Sequence, residues 1–240
     1  MSSLPDNPQA QIFTELAELA RCLGNAHRLT LLEHIAQGER PVDRLAILSG
    51  LSVANTSQHL QHLKRAGFVT TRREGKQVYY RLGSGPIEPL LSALRQCAEH
   101  NRAEVQRLIA DSYQHPDTLE AISRDELLSR MHEASVTLLD VRPQEEFALG
   151  HIPGAVNIPI AQLAARFAEL PSDQTVIAYC RGPYCLLSVD AVEILSKQGR
   201  TALRLKEGYP DWKAAGLAVE TLDTGATNDR AQNASSTEAK

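Results

Sequence analysis

Apolar positions in the first half of the chain return every three or four residues. Ile12, Leu16, Leu19 and Leu23 are spaced by four, three and four, which is one face of a helix, and Gly24 closes it. Leu29, Leu31, Leu32 and Ile35 predict a second helix ending at Gly38. The stretch PVDRLAILSG opens with a proline at a helix start and stops at Gly50. Ser52 is placed to cap the helix that follows, and Gly67 to end it. Over residues 68–82 the period changes, and two β-rich runs flank Glu74-Gly75-Lys76, predicting a hairpin. A stripe through Ile87, Leu90, Leu91, Leu94, Cys97, Ala98, Val105, Leu108 and Ile109 predicts one long helix over 86–113. That stripe is too long for one small bundle to bury; a helix from a second copy would cover the excess, so a homodimer is expected.

After YQHPDT (113–118) the patterning alternates. Residues 135–141 and 175–180 are short, continuously apolar runs of the kind buried parallel strands need, and 202–208 is a weaker third. Helical stretches fall at 123–133, 160–169 and 186–198. The fold class expected is therefore two domains: a mainly α winged helix-turn-helix with a β-hairpin wing, then an α/β unit with a central parallel sheet. The boundaries read as a flexible start (1–9), a first domain (10–113), a linker (114–118), a second domain (119–220) and a disordered, apolar-poor tail (221–240).

The composition, 42% hydrophobic and 22% charged in 240 residues, is that of an ordinary globular protein. No apolar run approaches the ~20 residues of a membrane span, and no signal-peptide core opens the chain, so a cytoplasmic location is expected. Four cysteines, at 22, 97, 180 and 185, do not make a disulfide scaffold. The net charge of −4 divides into +2 for residues 1–116 and −6 for 117–240. A surplus of +2 does not identify a DNA binder, so the distribution must decide. Six of the first half's 13 basic residues lie within the 18 positions from Lys64 to Arg81.

A winged helix-turn-helix needs a short helix with one face packed and the other free to enter the major groove. In the helix after Ser52, Leu60 and Leu63 face inward. Asn55, Thr56, Ser57, Gln58, His59 and Gln61 offer short hydrogen-bonding groups for base edges and phosphates. Lys64 at its end, with Arg73 and Lys76 on the hairpin, suits the flanking sugar–phosphate backbone of double-stranded operator DNA. A solvated polar helix beside a charged hairpin is the plainer alternative.

The segments LGNAHRLTLLEHI and LSVANTSQHLQHLKRAGFVTTRREGKQVYYRL, with the long helix after them, resemble the ArsR-type winged-helix repressors over residues 10–113. The resemblance implies a homodimer that releases operator DNA when an inducer binds, with 55–59 in the recognition helix and Arg73–Lys76 in the wing. The Cys-x-Cys pair of many metal-sensing members is absent from VDRLAILSG, and the last helix offers only His100 with Glu104, then His115. Sulfur-sensing members use one cysteine in the second helix and one in the last. Cys97 fits the last helix, while Glu33 occupies the second-helix position. Cys22 and Cys97 are a candidate redox pair across a dimer interface; the alternative is two buried small hydrophobes.

Cys180 ends an apolar run and precedes a predicted helix, the end of a parallel sheet where reactive groups collect. Backbone N–H groups and a helix N-terminus there favour a thiolate, and Arg181 adds a positive charge. The expectation is an exposed sulfur, ionised near neutrality. Zinc on Cys180 and Cys185 would need four ligands, and this half adds only His132 and His151. No metal and no dissociable organic cofactor is expected.

LLDVRPQEEFALGHIPGAVNIP (138–159), VIAYCRGPYCLLSVDAVEILSKQG (176–199) and LKEGYPDWKAAGLAVE (205–220) resemble a rhodanese domain over about 117–220. This implies that Cys180 takes sulfane sulfur from a donor and passes it to a thiol acceptor. Asp140 and Arg142 are expected to support the loop from a neighbouring strand end. Cys185 stands where thiosulfate-using members often carry a cation, which disfavours thiosulfate and supplies a candidate resolving thiol. Three functions remain open: a repressor responsive to reactive sulfur, a sulfurtransferase with a dimerising winged helix, and a metal- or arsenic-responsive repressor.

Overall fold

The computed structural model of the chain describes residues 7–104, 107, 121–133, 135–183 and 185–222. The expected linker, His115, the last apolar positions of the long stripe (Val105, Leu108, Ile109) and the tail from 223 onward lie outside the described residues. Among the described residues no helix is long and apolar enough to cross a membrane.

The first half starts with α1 (Pro8–Leu23) and α2 (Ala26–Ala36). Each is capped by an asparagine: Asn7 Oδ1 accepts from Gln9 N–H at 3.0 Å, and Asn25 Oδ1 from Arg28 N–H at 3.2 Å. A two-residue strand, β1 (Arg40–Pro41), leads into α3 (Val42–Ser49), which stops at Gly50 with φ +67°. Ser52 caps α4 (Val53–Arg65), its Oγ accepting from Asn55 N–H at 3.3 Å. β2 (Val69–Glu74) and β3 (Gln77–Leu82) pair antiparallel with Glu74 opposite Gln77. That register leaves Gly75-Lys76 as a two-residue turn, with Gly75 at φ +57°. β1 adds to the other edge of β3, Arg40 opposite Tyr80. Leu31, Leu32, Leu45, Leu60 and Leu63, none with measurable exposure, form the core beneath the hairpin.

The predicted 86–113 helix is interrupted among the described residues. α5 runs Ile87–Asn101 and breaks at Arg102, whose backbone is extended at φ −120°, ψ 97°. Residues 99–102 read Glu-His-Asn-Arg, so nothing apolar there can be buried to hold the turn together. The Asn101 side chain meanwhile donates to the Cys97 carbonyl at 2.9 Å.

The second half is a five-stranded sheet in the order β4-β8-β7-β5-β6, each neighbouring pair parallel. Its strands are β4 (Ala121–Ile122), β5 (Val136–Asp140), β6 (Val156–Asn157), β7 (Thr175–Tyr179) and β8 (Ala202–Leu205). The helices between them are α6 (Arg124–His132), α7 (Gln144–Leu149), α8 (Ile160–Arg166), α9 (Leu187–Lys197) and α10 (Tyr209–Ala214). Alternation explains the continuous apolar runs. Leu139, Ala178 and Cys180 enter one core, Leu138, Ile177 and Tyr179 the other, so both faces of the sheet are buried. The short β4, β6, α7 and α10 carry too few residues to leave a period in the sequence.

The two halves touch closely. Gly38, at φ +148° just after α2, lies against α7: a β-carbon there would stand 2.7 Å from Leu149 Cδ1. Only glycine meets both the backbone angle and the approach.

Candidate functional site

On the winged helix, Asn55, Gln58, Gln61 and Lys64 are exposed on α4, as are Arg73 and Lys76 at the hairpin tip. Two members of the predicted reading face need correction. Thr56 is fully buried and points into the core, because it lies four and seven positions before Leu60 and Leu63 on the packed stripe. His59 is half-buried beside the His27 ring (5.5 Å between centroids), and burial, with the Arg28 guanidinium nearby, pushes its pKa down. Its ring therefore lies against α2 rather than standing clear of the helix. Ser57 is half-buried. On the wing, Arg72 is engaged by Glu39 (Nε–Oε1 3.0 Å) and Glu74 (Nη1–Oε2 2.7 Å) and stacks on Tyr79. The free cations of the wing are thus fewer than the basic run implies.

In the second half Cys180 leaves the end of β7 and the chain curls through Arg181–Cys185 into α9. The expectation of an exposed sulfur is overturned: Cys180 is 2% exposed. The ring of amide hydrogens is also only part of the picture. Its Sγ lies 3.3 Å from the Cys185 carbonyl, 3.3 Å from Ser188 Oγ and 3.7 Å from the Gly182 carbonyl. Burial raises the cost of ionising this sulfur, but the Cys185 thiol, the Ser188 hydroxyl and backbone groups of Gly182 and Ser188 outweigh it. Together they bring the Cys180 pKa down to about 6. Cys185, half-buried, is driven the other way by its hydrogen bond to Cys180 and by burial. The two thiols are thus pushed apart, Cys180 downward and Cys185 upward.

Arg181 does not supply its charge to the sulfur alone. Its guanidinium forks onto Glu146 (Nε–Oε2 3.0 Å, Nη2–Oε1 2.7 Å), a carboxylate with no exposure. Asp140 and Arg142 form a second buried pair. Arg142 Nε lies 3.0 Å from Asp140 Oδ1, Nη2 donates to the Gly150 carbonyl at 2.8 Å, and the guanidinium stacks 4.4 Å from the Tyr209 ring centroid. Tyr209 N–H in turn donates to the Cys180 carbonyl at 3.1 Å. A β-carbon on Gly208 would overlap Arg181 and Gly182, so glycine is needed for this crossing. Asp140 and Arg142 reach the loop through packing, not through the sulfur.

The same loop is fastened to the first half. Gln37 at the end of α2, 1% exposed, accepts from Arg142 Nη1 at 3.1 Å, and its amide lies 3.5 Å from the Arg181 carbonyl. Arg40, on the β1 strand beside the wing, sits 3.6 Å from Glu146, which it shares with Arg181. Arg95 of α5 bonds Asp211 of α10 at 3.0 Å and Glu33 of α2 at 3.4 Å. Ser188, Gln37, Arg40 and Glu146 were assigned no role from the sequence. Glu146 alone left a trace, as a position in register with the rhodanese pattern.

Cys22 and Cys97 are free thiols and no disulfide joins them within the chain. Cys22 is half-buried, 3.8 Å from the His62 carbonyl of α4, while Cys97 is exposed on α5. Among the described residues no group of three or more His, Cys, Asp or Glu is arranged to hold a metal ion.

Comparison with known proteins gives a match to the rhodanese-like domain over residues 123–215. An HTH-type transcriptional regulator of Mycobacterium tuberculosis is 43% identical over 212 residues, 88% of this chain and 93% of that protein. A sulfurtransferase of Allochromatium vinosum is 33% identical over 100 residues, 41% of this chain and 92% of its own. Among solved structures, the homodimeric winged helix-turn-helix domain of a possible ArsR-family regulator from Mycobacterium bovis matches with a TM-score of 0.38 and 32% identity. It covers 42% of this chain and 94% of that one.

Proposed function

Because this chain belongs to the ArsR-type winged-helix transcriptional regulators fused to a C-terminal rhodanese domain, we propose that it is a repressor whose hold on operator DNA is set by reactive sulfur carried on Cys180. Residues 10–113 form the DNA-binding and dimerising part, and 119–220 the sulfur-handling part. The observation that carries this reading is that one loop both lowers a thiol pKa to about 6 and is bonded to the DNA-binding half through Gln37 and Glu146.

In the reaction, the Cys180 thiolate attacks the terminal sulfur of a donor R–S–SH. The new sulfur–sulfur bond forms as the donor's own bond breaks, the electron pair leaves on R–S⁻, and Cys180–S–SH remains. The departing R–S⁻ then takes the Cys185 proton, and the Cys185 sulfur attacks the Cys180 sulfur, expelling HS⁻ and leaving a disulfide between the two. Either product removes the thiolate that Ser188 and Gly182 now surround and forces the 181–185 loop to rearrange. Arg181 moves with that loop and pulls on Glu146, which also engages Arg40. Arg40 pairs with the wing strand, so the displacement reaches the DNA face. Such a coupling falls in the range of about 1–3 kcal/mol, or roughly 5–150-fold in operator affinity.

The dimer is supported by apolar side chains left in solvent: Ile12, Phe13 and Leu16 of α1 and Leu90 and Leu94 of α5, each more than 40% exposed. Leu16, Leu90 and Leu94 line one groove of about 850 Å³. A second copy covers them.

The deciding experiment measures binding of the purified full-length protein to an operator fragment selected from random DNA, before and after sodium tetrasulfide. Wild type is expected to release it and Cys180→Ser to keep hold. Equal release by both proteins would remove Cys180 from the sensing role.

A further inference from the structure

A cleft of about 520 Å³ lies where α2, α5 and the 181–185 loop meet. It is within the size range of small-molecule sites, and it opens at a domain junction, where such sites concentrate. Leu29 of α2 and Leu91 and Ala98 of α5 give it an apolar wall, while Cys185 and Arg181 stand at its loop side. Of the loop's two thiols, Cys180 is sealed and Cys185 is the half-buried one that borders this space.

The charges around the cleft argue about what enters. Arg181 is forked onto Glu146, and Arg95 lies against both Asp211 and Glu33. Each cation at the rim already faces a carboxylate. A dianionic donor such as thiosulfate would have to displace those carboxylates or sit beside them, at a large electrostatic cost. An uncharged carbon chain needs only the leucine surface, which it would desolvate favourably.

We propose, resting on the reading of Cys180 as sulfur carrier, that this cleft holds the carbon body of an organic hydropersulfide, whose –S–SH end then reaches the Cys180–Cys185 pair. The donor's body packs on Leu29, Leu91 and Ala98. Transfer follows the balanced step given above: the terminal sulfur passes to Cys180 and the donor leaves as the thiolate R–S⁻, still seated in the cleft until it diffuses out. Because two walls belong to helices of the DNA-binding half, occupancy and the arrangement of that half are reciprocally linked.

The test fills the cleft from an exposed position. Thr30 of α2 borders it and is solvent-facing, so Thr30→Trp occupies the space without entering the core. Sulfur loading of Cys180 is followed by intact mass after mixing the full-length protein with hexyl hydropersulfide or with sodium tetrasulfide, which has no carbon body. Thr30→Trp is expected to slow loading by hexyl hydropersulfide about tenfold, as loss of an apolar subsite does, and to leave loading by tetrasulfide within about twofold. Ala98→Phe, filling the cleft from α5, is expected to give the same split. Equal effects on both donors, whether none or a shared slowing, would overturn the proposal. Wild type loaded by tetrasulfide but not by hexyl hydropersulfide would also overturn it, while leaving Cys180 as a carrier. Loading by neither donor would defeat the underlying reading and this inference with it.

Discussion

At the residue scale, the proposed sulfur chemistry depends on what favours ionisation of a nearly inaccessible thiol. Desolvation alone would raise the Cys180 pKa, so the hydrogen bonds from Cys185, Ser188 and the loop backbone must exceed it. The alkylation rate of Cys180, followed by peptide mass in the Cys185→Ala protein, where it is the loop's one remaining thiol, is expected to rise through a single inflection. Restoring Cys185 moves that inflection down to about 6, and Ser188→Ala moves it back up. An inflection indifferent to Ser188 would remove the hydroxyl from the account. The sign for stability follows from the same shifts. A depressed Cys180 adds stability as pH rises from about 6 into the ordinary thiol range, and this is lost on acidification. The raised Cys185 opposes folding only at higher pH, where a normal thiol would ionise.

At the element scale, the proposed reading has α4 present one face to DNA and pack the other. Its packed face carries Thr56 with Leu60 and Leu63, and Thr56 Oγ1 is a buried hydroxyl without a hydrogen-bond partner in its surroundings. Thr56→Val keeps the shape and removes that polar atom. It is expected to be neutral or to stabilise by up to about 1 kcal/mol, read from urea unfolding, with operator affinity unchanged. Gln58→Ala, on the exposed face, should instead weaken operator binding without moving the unfolding midpoint. The reverse pattern would mean that α4 is turned the other way. The loop between β7 and α9 obeys the same division: Cys180 packs with the core side chains of its strand, and the turn beyond it supplies the groups that contact its sulfur.

At the scale of the whole molecule, the informative feature is a set of long-range polar contacts between the halves. Glu146 has no exposure and serves Arg181 from the sulfur loop and Arg40 from the strand beside the wing. Removing its charge should uncouple the halves. Glu146→Gln is expected to load sulfur on Cys180 and to bind operator DNA, yet to lose most of the roughly 5–150-fold change between the two states. Retention of the full response would place the coupling elsewhere, with Gln37 and Arg142 the next contacts to break. Because truncating a buried charge partner costs about 3–5 kcal/mol, the unfolding midpoint of this variant is measured alongside.

The order of residues by itself determined the elements and the chemistry-bearing loop. Periods of 3.6 and 2, the Ser52 cap, the Gly75 turn and the strand-end Cys180 act over a few positions, and the chain's local physics decides them; the caps at Asn7 and Asn25 are visible only in the structure. It also placed Asn55, Gln58 and Gln61 on the exposed face of α4; the inward turn of Thr56 was legible too, four and seven positions before Leu60 and Leu63, but its short hydroxyl side chain suits either face. The tertiary structure alone decided the burial of Cys180, the engagement of Arg181 by Glu146 35 positions earlier, and the bond from Gln37 to Arg142, 105 positions apart. Those partners are brought together by sheet order and domain contact, which carry no periodic mark along the chain. Local rules could therefore find the cysteine-bearing loop; the contacts joining it to the winged-helix half exist only once the chain has folded.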